Sequence, residues 1–414
     1  MPSIWTLLRR NNENGRRNNE NGQVFVLLAV TLTVLLGCGA LVIDVGRAYL
    51  AKRQLQASAD AAATAGALEL PDPIEARNYA LDYSGQDGAK NDNDKLPSVS
   101  TTVQTKCLSL APCNPVNTVV VEQTTVVPTI FAKVLGIDRL TIKAKATACS
   151  PCSSNPLDIM LVLDRTGSMC QFSNGTSDPA CTDLSNAKNG LLEFVQYMDP
   201  AIHKLGFAVF PPRTSSGSSC STPASSNYNS TSSVYTIVQL ATNYKIGNNL
   251  NESSQLVQSI RCQRGGGSTA YANAIEHAQA ELQSSRGRPG IQDVIIFFSD
   301  GAANTGPTYY STTSPYRRQP CHQGVSSASF VKGTGTLVYT IGYDLDASSG
   351  TANICQSYTG ANESPAITAY DALRLMATND DMFFNRPNPG DLTRIYTQIA
   401  AEIGGTRLVP DDSL

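Results

Sequence analysis

Histidine, tryptophan and net charge are the features that this sequence has least of. Its 414 residues include only three histidines and one tryptophan, and the formal net charge is -3. Proteins that bind nucleic acids or anionic surfaces carry a basic field, so the near-neutral charge balance argues against both classes. The length is sufficient for two or three domains.

The motifs of common hydrolases and nucleotide-binding enzymes are also absent. None of His203, His277 and His322 lies in a Ser-His-Asp or H-E-x-x-H arrangement. No G-x-S-x-G elbow occurs, and the Gly-rich run at 265–269 lacks the lysine of a Walker loop. A metal-dependent hydrolase needs both a water activator and a proton carrier, and only the first has a candidate here. The sequence therefore predicts a protein that is not an enzyme.

Cysteine, by contrast, is plentiful, with eleven in the chain. Cys38 lies in an apolar segment, and an even set of ten remains: Cys107, Cys113, Cys149, Cys152, Cys170, Cys181, Cys220, Cys262, Cys321 and Cys355. An even set in polar loops favours disulfides and an oxidising compartment. Zinc is the alternative, but no Cys-x-x-Cys is followed by a second ligand pair at zinc-finger spacing. We predict the pairs 107–113, 149–152, 170–181, 220–262 and 321–355, although sequence alone does not fix the connectivity.

An apolar segment near the N-terminus, Val24 to Val45, is long enough to span a bilayer as a helix. A cleaved signal peptide is the alternative, but the run is long for one and no clean A-x-A site follows it. Arginines in the preceding residues favour a cytoplasmic N-terminus. The segment therefore predicts a single-pass anchor with the bulk of the chain outside the cytoplasm.

Polar and helical patterns flank this apolar run. Residues 1–22 contain the string RRNNENG twice, have no apolar face, and are predicted to be a disordered cytoplasmic tail. Residues 23–70 are predicted to form one transmembrane and stem helix, which Pro71 and Pro73 end. Its stem carries apolar or small residues at helical spacing: Leu50, Leu55, Ala59 and Ala62.

Two strings in this segment resemble the N-terminal signature of TadE/TadG-like proteins of the Flp (Tad) pilus system. They are VIDVGR at 42–47 and LQASADAAA at 55–63. The resemblance implies a pilus-associated protein of the bacterial inner membrane; a generic anchor with an Ala-rich stalk is the alternative. Leu27 stands where a type IV prepilin has glutamate, so prepilin processing is not expected. For Asp44 we predict an interfacial or helix-packing role, not proton transfer.

Residues 71–149 are predicted to form a small α+β region that also resembles the TadE/TadG membrane-proximal part. Residues 128–137 have the pattern of a short helix starting at a proline. Strands are predicted at 98–106, 116–127 and 140–148. A breaker-rich linker, 150–156, precedes a last domain at 157–414, in which alternating strands and helices predict a doubly wound α/β sheet.

The most informative stretch is LDIMLVLDRTGSM, at 157–169. Its apolar run is hydrophobic on both parities, which is typical of a strand buried on both faces of a parallel sheet. Asp164, Thr166 and Ser168 follow that strand, at the carboxyl edge where functional loops of such sheets lie. Carboxylates and hydroxyls are hard oxygen ligands of the type that Mg²⁺ or Ca²⁺ takes.

Two later stretches add to this pattern. Three glycines at 265–267 precede Ser268 and Thr269, just before an amphipathic helix, and a second apolar strand ends at Asp300. Each piece alone is also compatible with an ordinary turn, because Asp, Ser and Gly are common turn residues. In this order, however, the three pieces resemble the metal-ion-dependent adhesion site of von Willebrand factor type A domains.

The resemblance implies a doubly wound, Rossmann-like domain that holds a divalent ion. Mg²⁺ is the expected ion, with Mn²⁺ or Ca²⁺ as alternatives. The implied metal ligands are Asp164, Thr166, Ser168, Thr269 and Asp300. The hydroxyls would bind directly, and the carboxylates directly or through water. The family's first loop usually reads D-x-S-x-S, so Thr166 is a departure that keeps the hydroxyl and adds a methyl group.

The resemblance further implies a protein partner or surface ligand that offers a carboxylate, such as another component of the pilus. Two alternatives stay open at this point. One is a structural envelope or pilus scaffold with a vestigial metal site, and the other is a periplasmic chaperone or sensor that uses the same site.

Overall fold

The computed structural model describes residues 14–70, 72–108, 116–150, 152, 156–172, 175–214, 218, 220–221, 233–307, 314–343, 345, 354–386, 391–404 and 407–409. The chain divides into two compact units. The N-terminal unit comprises Met1–Lys106, Thr118–Ala148 and Leu408–Ser413, and the C-terminal unit comprises Cys107–Asn117, Cys149–Arg407 and Leu414.

The N-terminal unit is built on one long helix, α1 (Asn14–Leu68). Its portion Val24–Leu68 includes an 18-residue stretch with a mean hydropathy of 2.7, and is long and apolar enough to cross a membrane. Residues 1–13 of the predicted disordered tail lie outside the described residues. From residue 14 onward the prediction of disorder is wrong, because extending an existing helix costs far less than nucleating one.

The outer half of α1 buries one face. Leu55, Ala59 and Ala62 are fully buried, as their spacing predicts, but Leu50 is 58% exposed. The buried stripe passes through Ala51 instead, one position further along the helix. The helix ends at Leu68, ahead of the two prolines, and α2 (Pro73–Asp82) follows.

An antiparallel pair, β1 (Ser100–Lys106) and β2 (Thr118–Pro128), and a third strand, β3 (Arg139–Cys149), form the sheet of this unit. The predicted helix at 128–137 is wrong in extent. Pro128 still belongs to β2, and only a 3₁₀ turn, Ala132–Leu135, is helical. The turn stops at Gly136, whose left-handed φ of 84° closes it.

Asp44 of α1 binds this turn directly. Its carboxylate accepts hydrogen bonds from the backbone N–H groups of Ile130, Phe131 and Ala132, at 2.8, 2.8 and 2.6 Å. Ala132 is the first residue of the turn, and Ile130 and Phe131 directly precede it, so a carboxylate that accepts from all three N–H groups holds the start of the turn. The structure thus confirms a helix-packing role for Asp44.

The C-terminal unit contains a six-stranded sheet. Its strands are β4 (Leu157–Asp164), β5 (His203–Thr214), β6 (Ser233–Ala241), β9 (Gln292–Ser299), β10 (Leu337–Tyr343) and β11 (Phe383–Arg386). Between β6 and β9 the chain forms a separate two-stranded hairpin of β7 (Lys245–Ile246) and β8 (Asn249–Leu250). The order is β11-β10-β9-β4-β5-β6, and only the β5–β6 pair is antiparallel. Most of the chain between Arg213 and Ser233 lies outside the described residues.

Helices cover both faces of this sheet, as predicted for a doubly wound fold. They are α3 (Thr182–Tyr197), α4 (Gln255–Arg261), α5 (Tyr271–Leu282), α6 (Pro320–Gly333), α7 (Ala369–Met376) and α8 (Asp391–Gly404). Strand β4 lies at the centre, and all eight of its residues are buried. Leu161 belongs to the core shared with α3, α4 and α8, and Val162 to the core shared with α5, α6 and α7.

Disulfides connect four of the five predicted cysteine pairs. They are 149–152, 170–181, 220–262 and 321–355. The fifth predicted pair includes Cys113, which lies outside the described residues.

The final strand, β12 (Arg407–Val409), lies beside β3 in the sheet of the N-terminal unit. From the sequence, these residues are predicted to belong to the last domain, 157–414. The difference has a simple physical origin, because β3 has an open edge whose backbone groups a short strand can satisfy.

Candidate metal centre

The candidate metal centre begins where β4 ends. Asp164 is fully buried, and each of its carboxylate oxygens has a defined donor. Oδ1 accepts a hydrogen bond from the Thr166 N–H at 2.8 Å, and Oδ2 accepts one from the Ser299 hydroxyl at 2.6 Å. The second contact follows from the sheet, because β4 and β9 are adjacent parallel strands with Leu163 opposite Phe298. The last residues of the two strands therefore meet.

Three further predicted residues lie in one chain of hydrogen bonds. The Thr166 and Ser168 hydroxyl oxygens are 2.8 Å apart, and the Ser168 hydroxyl donates to Asp300 Oδ1 at 2.8 Å. Thr166 is buried, whereas Ser168 is exposed. The oxygen cluster is thus buried at Asp164 and open to the surface at Ser168.

The Gly-rich loop lies directly against the loop that carries Asp164. The Gly266 N–H donates to the Arg165 carbonyl at 3.0 Å, and the Gly167 N–H donates to the Gly267 carbonyl at 3.3 Å. Gly266 and Gly267 have φ values of 137° and 84°, which residues with a side chain rarely adopt. The glycines therefore allow two loops that are a hundred residues apart to run side by side.

Thr269 follows this Gly-rich loop, two residues before α5 begins. It is buried, its N–H donates to Asn304 Oδ1 at 2.9 Å, and its carbonyl accepts from the N–H groups of Asn304 and Thr305. These contacts fix the Thr269 backbone beside the loop after β9. Thr269 thus lies in a loop that adjoins the cluster. The four other predicted ligands, Asp164, Thr166, Ser168 and Asp300, are linked to one another by hydrogen bonds.

The two carboxylates are close in an environment that disfavours their charge. Burial raises the pKa of Asp164 to about 6, although hydrogen bonds from Ser299 and Thr166 oppose the rise. Desolvation, followed by repulsion from Asp164, raises the pKa of Asp300 well above its ordinary value. A positive charge between these carboxylates would offset both effects.

The buried cation nearest in sequence, Arg165, does not neutralise this pair. Its guanidinium donates to the carbonyls of Pro211 and Ser221 and to Gln263 Oε1, at 2.9 to 3.0 Å. Burial, with a smaller contribution from Arg213, lowers the pKa of Arg165 to about 10. Arg165 therefore braces the base of the loop through two carbonyls and an amide oxygen.

The donor set fits a hard divalent ion. Two carboxylates and up to three hydroxyls are oxygen donors of the kind that Mg²⁺, Mn²⁺ and Ca²⁺ prefer. Another group of potential ligands among the described residues is Cys321, Cys355 and Glu363. There the two cysteines form a disulfide, so they supply no thiolate for a metal.

Sequence reasoning missed several residues that position the candidate ligands. Ser299 binds Asp164, Asn304 holds the Thr269 backbone, and the Tyr271 hydroxyl donates to the Gly301 carbonyl. Ser299 is adjacent to Asp300, so its strand-end position was a usable signal. No sequence signal pointed to Asn304 or Tyr271, because their roles depend on how the loops fold onto one another.

Comparison with known proteins yields two family matches. A family described as Flp pilus-assembly TadE/G-like matches residues 22–69, and the von Willebrand factor type A domain family matches residues 159–302. The second match covers both the loop with Asp164 and the end of β9 with Asp300. No curated protein matches the chain.

Solved structures with a similar fold include proteins from pili and from an animal fibre. The von Willebrand factor domain of the type V pili tip protein Mfa5 from Porphyromonas gingivalis is 16% identical, covers 60% of this chain and 95% of its own, and has a TM-score of 0.42. The pilus adhesin SpaC from Lactobacillus rhamnosus GG is 13% identical over 75% of this chain and 35% of its own, with a TM-score of 0.43.

Proximal thread matrix protein 1 from the mussel byssus, in a structure whose adhesion-site motif is occupied by zinc, is 16% identical. It covers 64% of this chain and 49% of its own, with a TM-score of 0.37. The family matches, together with the long apolar helix and the doubly wound sheet, show that the chain has a TadE/G-like N-terminal region followed by a von Willebrand factor type A domain.

Proposed function

We propose that this protein is a membrane-anchored pilus assembly or adhesion protein of the Flp (Tad) type, which binds a protein partner through a divalent metal ion. The observation that carries the proposal is the linked cluster of Asp164, Thr166, Ser168 and Asp300 at the carboxyl edge of the sheet. The TadE/G-like match of residues 22–69 supports the connection with pili.

In this proposal Asp164, Thr166, Ser168, Thr269 and Asp300 hold the ion, with Mg²⁺ expected and Mn²⁺ or Ca²⁺ as alternatives. When bound, the ion supplies a Lewis acid with a position open to an external carboxylate. Hydroxyl ligands are neutral, so Thr166, Ser168 and Thr269 leave positive charge uncompensated for the partner's Asp or Glu. Ser168 is exposed, so the partner meets the cluster at that residue.

Binding, rather than catalysis, is the proposed role. A bound ion would supply a Lewis acid, but among the described residues the side chains that contact the candidate ligands or their backbone are those of Ser299 and Asn304, which are poor proton carriers. The families matched by the chain are a pilus-assembly family and a type A domain family, neither of which is typically enzymatic.

The proposed location is the bacterial inner membrane, with the bulk of the chain periplasmic or extracytoplasmic. The apolar part of α1 fits a single-pass anchor. Four disulfides in the described part of the chain support an oxidising compartment on the C-terminal side of that anchor.

The test uses the full chain, purified in detergent, in two stages. Thermal unfolding is first measured in EDTA and then in millimolar Mg²⁺, Mn²⁺ or Ca²⁺, because an ion that binds only the native state raises the midpoint. The variants are Asp164→Asn and, as a matched control, Asp381→Asn at an exposed aspartate outside the cluster. We expect a metal-dependent rise in wild type and the control, but not in Asp164→Asn.

The second stage tests partner capture. The immobilised full chain is incubated with an extract of the producing cells, in Mg²⁺ and in EDTA, and the retained proteins are identified. We expect wild type and Asp381→Asn to retain a pilus component in Mg²⁺. We expect Asp164→Asn not to retain it. Retention that is equal in EDTA, or equal with Asp164→Asn, would contradict metal-dependent binding and favour a scaffold with a vestigial site.

A further inference from the structure

The N-terminal unit carries an exposed apolar surface, in a loop that precedes the candidate metal centre in sequence. It is the β2–β3 loop, residues 129–138, with the sequence TIFAKVLGID. Half of its ten residues are large apolar side chains that are exposed: Ile130 53%, Phe131 40%, Val134 88%, Leu135 67% and Ile137 45%. Scattered exposed apolar residues need no explanation, but a contiguous group of this kind marks an interaction surface.

The contact with Asp44 fixes where this loop lies along α1. Asp44 accepts hydrogen bonds from the N–H groups of Ile130, Phe131 and Ala132, so the loop adjoins α1 at that residue. The apolar part of α1, which contains no charged residue, ends at Ile43, directly before Asp44. From Val24 to Ile43 the helix has the roughly 20 residues, or about 30 Å, that cross a hydrocarbon core. The loop is therefore at the depth where the helix leaves the lipid.

Two further contacts show which end of the sheet carries the loop. Lys52 Nζ donates to the Lys143 carbonyl, and Gln56 Nε2 donates to the Lys145 carbonyl at 2.7 Å. Strand β3 thus runs alongside α1 in the same direction, away from Asp44. The opposite end of β3, at Arg139, and the end of β2, at Pro128, lie nearest the apolar part of the helix. The loop that joins them is the part of this sheet closest to the membrane.

We infer that the β2–β3 loop inserts its apolar side chains into the lipid interface of the same bilayer that α1 spans. The inference rests on the membrane anchoring in the proposed function. Lipid is the occupant that the geometry favours, because the surface is continuous with a helix segment whose own apolar residues are exposed for lipid contact. Lys133 and Arg139, both exposed beside the apolar residues, suit anionic or zwitterionic headgroups.

Such a contact gives the N-terminal unit a second attachment to the membrane. A single helix can rotate about its axis and tilt within the bilayer, whereas a helix with an inserted loop at one side has a fixed rotation. Asp44 connects the two elements, so the unit and the anchor hold one orientation relative to the membrane plane.

Tryptophan fluorescence in reconstituted full chain tests the inference. The single native tryptophan, Trp5, is replaced by phenylalanine, and one tryptophan is then introduced by Val134→Trp, Leu35→Trp or Leu68→Trp. Leu35 is in the apolar part of α1, and Leu68 is the matched control, 61% exposed at the far end of the same helix. Each variant is placed in nanodiscs, one chain per disc, with ordinary or brominated phosphatidylcholine.

We expect brominated lipid to quench Val134→Trp by the same order as Leu35→Trp, with a blue-shifted emission maximum, and to leave Leu68→Trp unquenched. Quenching of Val134→Trp no greater than that of Leu68→Trp, while Leu35→Trp is quenched, would overturn the inference alone. A blue shift of Val134→Trp without quenching would also overturn it, because protein would then cover the loop. An unquenched Leu35→Trp would instead contradict the membrane anchor itself.

Discussion

The Ser168 hydroxyl donates a hydrogen bond to Asp300 Oδ1 at 2.8 Å, across a sequence separation of 132 residues. The same hydroxyl is 2.8 Å from the Thr166 hydroxyl, so one exposed serine connects the loop after β4 with the loop after β9. Parallel strands bring their carboxyl ends to one edge of a sheet, which is why residues so far apart in sequence share a site. The predictions about the metal centre follow from this arrangement.

Asp164→Asn removes one negative charge from the candidate metal centre while preserving the shape of the side chain. Asparagine keeps an oxygen that can accept from the Thr166 N–H, and it removes one of two carboxylates that repel each other. We expect the metal-free chain to unfold at the same temperature as wild type or higher, and to gain no stability from the metal. Wild type at about 100 times the dissociation constant gains about 2.7 kcal/mol. Calorimetry with and without EDTA measures both quantities, and a lower midpoint in EDTA would contradict the repulsion.

Thr166→Val tests the hydroxyl in the position where the family usually has serine. Valine has nearly the same shape but no oxygen, so we expect a metal affinity at least about tenfold weaker. Thr166→Ser keeps the hydroxyl and is the matched control, with an affinity close to that of wild type. Isothermal titration with Mg²⁺ and Mn²⁺ compares the three proteins. Equal affinities for the valine and serine variants would remove Thr166 from the ligand set.

His203, at the start of β5, should lower the free energy of unfolding in mild acid. Burial lowers its pKa from 6.5 to about 4, so the unfolded chain binds more protons between those values. This contribution to stability is complete above pH 6.5 and decreases as the pH falls towards 4, by about 1–3 kcal/mol. We expect His203→Phe to abolish this part of the pH dependence, measured by chemical unfolding of both proteins in EDTA. Carboxyls such as Asp164 titrate in both proteins, so the difference isolates the histidine; parallel pH profiles would contradict the assignment.

The disulfides should differ in how much they stabilise the C-terminal unit. The 220–262 bridge closes a sequence separation of 42 residues, whereas the 149–152 bridge closes one of three. Longer closed loops restrict the unfolded chain more, so replacing the first pair by serines should cost about 2–4 kcal/mol and replacing the second pair clearly less. Denaturant unfolding of the two double variants makes the comparison. A larger loss for the short bridge would show that local geometry, not chain entropy, dominates.

Asp44→Ala should destabilise the N-terminal unit without changing the metal response. Three backbone N–H groups lose their acceptor, and we expect a loss of about 1–3 kcal/mol. Asp44→Asn retains one side-chain oxygen and should give an intermediate loss. Hydrogen exchange at Ile130 to Ala132 locates the effect, since those amides should exchange faster in both variants. Unchanged exchange would mean that Asp44 does not hold the loop.

Much of the fold follows from short-range patterns that operate within one element. The doubly apolar strand at Ile159 and the amphipathic helix after Thr269 each predict an element whose burial the structure confirms, because side-chain periodicity is a local property. The apolar run at Val24 predicts a long helix, which the structure has as α1. The disulfide pairs were predictable for a related reason. All four that the structure describes join cysteines that are consecutive in the set.

Other features depended on contacts that a linear pattern does not contain. The helix expected at 128–137 is only a 3₁₀ turn, Ala132–Leu135, which begins where Asp44, more than 80 positions earlier, accepts backbone N–H groups and which ends at Gly136. The strand at Arg407 joined an open sheet edge in the N-terminal unit instead of the domain that precedes it.

The candidate site shows the same division. By themselves the residues of the sequence determined which oxygens are available, since Asp164, Thr166, Ser168, Thr269 and Asp300 stand at strand ends or before a helix. Only the tertiary structure decided how they are held. It placed Ser299 on Asp164, directed Arg165 to carbonyls instead of carboxylates, and left Ser168 exposed. Strand register, loop packing and burial are properties of the whole sheet, and these determine which oxygens meet.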